Sequence, residues 1–260
     1  MISRGLSIPT IQETGTEGVP AAAILVKSTM LAKLTTVLFV SLLVLVVPIL
    51  SFNTAQRLRT QNIPRLALYL SAVISQWFLA VLCLVVVRFT SRGLLAGSLG
   101  LIPLAEFIRW GSLVAAASLA GLGVVILLEN KGLMPEESDL VYLLIPESPQ
   151  EKLWAVLILA PTAAFCEELV YRGFLLTQLS QWSHSIFWGW IVSSIAFGLA
   201  HAYQGWSGMT RAALLGALLA YPFVRLGNLY PSMLAHGLID AVALAWLGPL
   251  MARRIQPPPT

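Results

Sequence analysis

The chain has 260 residues, 57% of them hydrophobic and 11% charged, with a mean hydropathy of +0.81. A soluble domain carries roughly 25% charged residues, so this composition excludes a water-soluble globule and requires lipid as the solvent. The net charge of +4 is modest and calls for no nucleic-acid partner.

Residues 1–27 are polar and read as a flexible N-terminal segment. They do not read as a signal peptide, because the first apolar run begins too far in and is too long. Residues 28–254 then read as a single transmembrane domain. A span needs about 20 apolar residues to cross roughly 30 Å of hydrocarbon, and 34–52 and 66–87 meet that length. Cations flank the apolar runs (Lys27, Lys33, Arg57, Arg59, Arg253, Arg254), as is usual at span ends. Residues 94–110, interrupted by Pro103, Glu106 and Arg109, suggest an interfacial helix, followed by a shorter span at 112–128. The acidic stretch 129–152 reads as an aqueous loop. Four more spans are expected near 153–175, 187–204, 211–227 and 229–250. Trp182, Trp188 and Trp190 mark an interfacial aromatic belt at the start of the fifth. The fold expected is all-α: a polytopic, multi-pass bundle of about seven spans with a buried polar cavity in its C-terminal half. Cys83 and Cys166 lie within apolar runs and read as small buried residues, not as a disulfide or metal ligands.

The informative feature is where the charges fall. Spans one, two, three and six have no ionisable side chain in their middles. Spans four, five and seven hold Glu167, Glu168, Arg172, His201, His236 and Asp240. A mid-membrane Asp, Lys or Arg costs about 2.5–3.5 kcal/mol on insertion scales, so six such groups must meet and satisfy one another. Glu168 and Arg172 are i and i+4 with the carboxylate N-terminal, the favourable order for a helical ion pair. That leaves Glu167 facing another way. Phe197 and His201 share the spacing, so the ring packs beside the imidazole and fixes it. His236 and Asp240 repeat it, with Ser232 one turn earlier, and a carboxylate one turn away can choose an imidazole's tautomer. The bland alternatives are solvated glutamates at the membrane surface and buried polar pairs that only hold helices together. His184, in the loop between spans four and five, has no role in this reading.

Glu167-Glu168-x-x-x-Arg172, Phe197-x-x-x-His201 and His236-x-x-x-Asp240, in that order over residues 150–245, resemble the three motifs of the CPBP family. That family groups type II CAAX prenyl endopeptidases with bacteriocin-processing and self-immunity proteins. The resemblance implies a helical bundle in the cell membrane whose cavity opens within the bilayer. It also implies a glutamate-dependent protease that acts on a membrane-associated peptide or protein and needs no cofactor or metal. Glu167 and His201 would activate water, His236 and residue 240 would stabilise the oxyanion, and Glu168 with Arg172 would support them. Asp240 departs from the Asn of the well-studied CAAX enzymes, and an aspartate donates a hydrogen bond only when protonated. At a rise of about 1.5 Å per residue, similar depths for Glu167, His201 and His236 require span five to begin near Trp190 rather than Ile186.

Three other readings stand beside this one. A zinc protease could draw on two histidines and a glutamate, although no His-Glu-x-x-His is present. A serine protease built on Ser232, His236 and Asp240 would leave Glu167, Glu168 and His201 without a function. A non-enzymatic scaffold, immunity or transport component could use the same buried network.

Overall fold

The structure is a computed structural model that describes residues 21–248 except 59, 62, 91–94, 96 and 135–138, with backbone alone for 21–28 and 139. The predicted segment 1–27 therefore lies outside the described residues up to residue 20, and the backbone is helical from Ala21. Residues 249–254 lie outside as well. The described residues form seven helical rods and no strand.

Helix α1 runs from Ala21 to Leu58, with a π-helical turn at Leu42–Val46. Pro48 explains that turn, because it has no N–H to give the carbonyl one turn back and its ring crowds that carbonyl. Helix α2 is Arg65–Thr90 and α3 is Leu104–Asn130. The predicted interfacial helix at 94–110 is thus corrected. Residues 104–110 are the first two turns of the third rod, and Glu106 and Arg109 are exposed at its end. The Arg109 guanidinium lies 5.6 Å from the Trp110 ring, so its charge is carried outward while its stem covers apolar surface.

Within the acidic stretch, Asp139–Leu144 forms a 3-10 turn. Tyr69 donates to Leu144 O at 2.8 Å, and Arg65 donates to Leu143 O and to Glu147, which ties the turn to the start of α2. Ser148 and Glu151 then form a reciprocal capping box. Two otherwise orphaned backbone donors are satisfied there, and α4 begins.

Helix α4, Pro149–Ser183, contains two π-helical segments, Ala155–Leu159 and Glu168–Leu176. It ends where His184 takes a left-handed conformation (φ 52°), which frees the chain to turn back. Helix α5 is Ile186–Ala200, α6 is Gly205–Leu226, and α7 is Tyr230–Val242 continued by a π-helical turn to Leu247.

Five of these rods are long and apolar enough to cross a membrane: Thr29–Leu58, α2, α3, α4 and Ala202–Leu226. Helix α5 is apolar but shorter, and α7 carries His236 and Asp240, which lower its hydropathy. The chain is an integral, multi-pass membrane protein.

Helix α4 is the axis of the bundle. It packs against α2, α5 and α7, while α3 lies along α7 and α6 lies along α5. Leu169, Phe174, Leu175 and Leu176 are fully buried, and Phe39 and Leu43 of α1, Cys83 of α2 and Leu229 just before α7 close around them. Both cysteines are buried free thiols.

Close packing here depends on missing side chains. A Cβ at Gly189 would stand 2.6 Å from Leu176 O, so this glycine lets α5 lie directly on α4. On α6, Gly208, Ala212, Gly216 and Ala220 recur every four residues and are all buried. Small residues at that spacing let helices in lipid approach closely.

The depth condition resolves differently from expectation. Helix α5 does begin at Ile186, and the predicted fourth span was cut short: it continues past 175 to Ser183. Glu167 therefore stands 16 residues before the turn and His201 15 residues after it. Helix α7 starts deeper, because Leu229 packs beside Gly173. Gly173 is six residues from Glu167, and Leu229 is seven from His236. All three side chains reach one level.

Candidate active site

Glu168 and Arg172 meet as their spacing requires, Arg172 Nη1 to Glu168 Oε1 at 2.8 Å, with both side chains out of contact with solvent. The rest of the guanidinium is also held. Nη2 donates to Gly216 O at 3.0 Å, and the cation lies 4.4 Å from the centre of the Phe197 ring. Removing either charge would leave its partner unpaired in a low dielectric.

His236 reaches the same carboxylate. Its Nδ1 donates to Glu168 Oε1 at 2.8 Å. The sequence pattern pointed to Asp240 as the group that orients this imidazole. Asp240 Oδ2 does face the ring, 3.5 Å from Nε2, and a second, shorter contact that the spacing did not suggest comes from α4. A glutamate held by arginine thus fixes the ring and directs Nε2 towards Asp240 and towards Glu167 Oε2, 3.8 Å away. A neutral ring has one donor, already engaged with Glu168, so Nε2 donates to either carboxylate only in the imidazolium form.

His201 is set by its own helix. Its Nδ1 lies 2.8 Å from Phe197 O and its ring centre 4.7 Å from that of Phe197. A backbone carbonyl only accepts, so Nδ1 carries the proton and the neutral ring keeps its lone pair on Nε2. Phe197 is the common neighbour, touching Arg172, His201 and Tyr171 and standing 6.1 Å from His236.

Glu167 is turned away from this buried core. It lines a cavity of about 280 Å³ with Gln76, His201, Tyr203, His236 and Asp240. The rest of the lining is mostly apolar, Leu159, Leu219, Ile239 and Leu244 among it, with Gln204 and Arg211 as further polar members.

One contact has no counterpart in the sequence reading. Gln76 on α2 donates its amide N–H to Glu167 Oε1 at 2.7 Å. A second, Glu129 at the end of α3 with Arg211 near the start of α6 (3.4 Å, both largely buried), closes the bundle beside the cavity. Ser232 is fully buried and does not line the cavity, so a nucleophile at that position could not reach a substrate there. Among the described residues, no three His, Cys, Asp or Glu side chains converge as a metal site would require.

These features define a membrane protein with a partly open cavity lined by carboxylates and imidazoles. Residues 149–242 match the family model described as type II CAAX prenyl endopeptidase Rce1-like. The match indicates a protease. No curated protein and no solved structure matches the chain.

Proposed function

We propose that this chain is an intramembrane endopeptidase that hydrolyses a peptide bond of a membrane-associated substrate, using a water molecule activated by Glu167 and His201. One observation carries the reading. Of two adjacent glutamates, Glu168 is sealed in an ion pair, whereas Glu167 lines a cavity together with two histidines.

The chemistry follows from the hydrogen-bonding capacity of each group. Water has two protons to give. Glu167 Oε2 accepts one and His201 Nε2 accepts the other, which leaves an oxygen lone pair for the scissile carbonyl carbon. As the C–O bond forms, Glu167 takes a proton and the carbonyl oxygen becomes negative. His236, in its imidazolium form and fixed by Glu168 through Nδ1, donates its Nε2–H to that oxyanion. Asp240 contributes a second donor when protonated. The C–N bond then breaks, Glu167 returns its proton to the leaving amine, and the products are a carboxylic acid and an amine. Arg172 pairs with Glu168 and so keeps His236 oriented. No group of the protein is modified, and no metal is required.

The description of the matching family supports a lipid-anchored peptide as the substrate class, and the apolar body of the cavity suits such a chain. The test is direct. Purified protein in lipid vesicles is given lipid-anchored and plain transmembrane peptides with excess chelator, and products are read by mass spectrometry. Internal peptide-bond cleavage that survives chelation is expected. Activity lost together with one tightly bound zinc per chain would replace this mechanism with a zinc protease.

A further inference from the structure

Gln76 sits on α2, 73 residues before the matched stretch begins. Between Arg65 and Arg88 its helix is apolar apart from Ser71 and Ser75, and about half of its large side chains are exposed on the surface of the bundle. A primary amide in such a helix needs a reason, because an amide removed from water without partners is unfavourable. Its N–H meets Glu167 Oε1 at 2.7 Å. Its carbonyl oxygen is buried, with no protein partner.

The amide has one workable orientation. Flipping it would bring its carbonyl oxygen against a carboxylate oxygen, two acceptors with nothing to share. The N–H therefore stays on Oε1. Glu167 is a flexible side chain, and its near neighbours at His236 Nε2 (3.8 Å) and in the cavity do not hold it on this side. One short bond from a neighbouring helix fixes the rotation of the carboxyl group and leaves Oε2 as the oxygen available to water.

We infer that Gln76 is a positioning residue for the general base: the first half of the chain, which lies outside the matched stretch, completes the site by clamping Glu167 Oε1. This rests on the reading of Glu167 as the base. The C-terminal helices then carry the reacting groups, and α2 sets the angle at which the base meets its water.

The test uses the full chain in lipid vesicles and the cleaved peptide from the preceding experiment, with Gln76→Met, Gln76→Glu and Glu167→Gln side by side. Methionine keeps the length and removes both polar atoms. Gln76→Met should lower kcat about 10- to 100-fold, the scale of loss for a misplaced reacting group. KM and the melting temperature should stay near wild type. Gln76→Glu should fall further, because two carboxylates then face each other. A wild-type kcat in Gln76→Met, with Glu167→Gln inactive, would overturn the clamp and leave the base assignment standing. A kcat that falls only in step with melting temperature and KM would make Gln76 a packing residue and overturn it too. Turnover retained in Glu167→Gln would instead remove the base assignment itself.

Discussion

Helices α1–α3 and helix α4 are both apolar and both long, yet they meet their surroundings in opposite ways. In the most apolar window of each of the first three, 22% of residues are buried inside the protein, against 56% in α4. The first three turn Leu45, Ile74, Phe78 and Leu127 out to lipid. Helix α4 is packed on several sides and carries Glu168 and Arg172 where neither lipid nor water reaches them. Hydrophobicity takes a helix into the membrane; the polar groups show which helix the others surround, because only there can charges be matched from several directions.

The largest expected effect follows from that contrast. Arg172→Ala should cost about 3–5 kcal/mol by stranding Glu168, and it should also release His236 and stop cleavage. Val81→Ala, on the lipid face of α2, should change stability by less than about 0.5 kcal/mol. Thermal unfolding in detergent with a matched activity assay reads both. Equal stability losses in the two variants would erase the distinction between the regions. The pair Glu168→Gln with Arg172→Met should recover part of the stability and none of the activity.

Glycines sharpen the same comparison. A Cβ at Gly216 would stand 3.0 Å from the Phe197 ring and 3.4 Å from Arg172 Nη2. Gly216→Ala should therefore cost about 1–3 kcal/mol and depress turnover by shifting Phe197 against His201. Gly121 of α3 has nothing within 4 Å of its missing Cβ. Gly121→Ala should be neutral or gain up to about 1 kcal/mol. A destabilised Gly121→Ala beside a tolerated Gly216→Ala would reverse the assignment of the packed side.

A smaller effect is expected at Asp240. Glu168 makes the shorter contact with His236, 2.8 Å against 3.5 Å for Asp240, so Asp240→Asn should leave cleavage within about tenfold of wild type, with an amide donor replacing a carboxylate. A larger loss at every pH would mean that the Asp240 charge governs the imidazole after all.

The smallest effect lies outside the bilayer. The Arg65 guanidinium, hydrogen-bonded to Glu147, holds that carboxyl below the usual carboxylate range. A depressed folded-state pKa adds stability above the unfolded value, and that stability is lost as pH falls through the folded one. Glu147 is mostly exposed, so Glu147→Gln should cost no more than about 0.5 kcal/mol near neutral pH. The difference should vanish in acid, as melting curves across pH would show.

Much of this was legible in advance. The Glu168–Arg172 pair and the Phe197–His201 contact lie within single helices, where a spacing of four places side chains together. Contacts between helices were not legible. The bond from His236 to Glu168 joins α7 to α4, and the spacing within α7 showed only Asp240, the partner on the other side of the ring. Gln76 carries no charge and escaped a search based on ionisable residues; a lone amide in an apolar run was the available signal. The length of α4 was misjudged because Thr177–Ser183 is polar (TQLSQWS). That segment stays helical by packing on α5, with Gly189 set against Leu176 and Ser180. The true start of α3 was hidden by Glu106 and Arg109, which reach out from its exposed end. Small residues every four positions on α6 were visible and would have pointed to the close approach that lets Arg172 bond Gly216.

The central claim is that Glu167, not its buried neighbour, drives peptide hydrolysis from the cavity. The most direct measurement is the cleavage rate of purified Glu167→Gln in lipid vesicles, with thermal unfolding recorded on the same preparation. The amide is nearly isosteric with the carboxylate and cannot take a proton from water. The account predicts an unchanged melting temperature with a rate at least about 10²- to 10⁴-fold below wild type. Near-normal cleavage by a folded Glu167→Gln would contradict it.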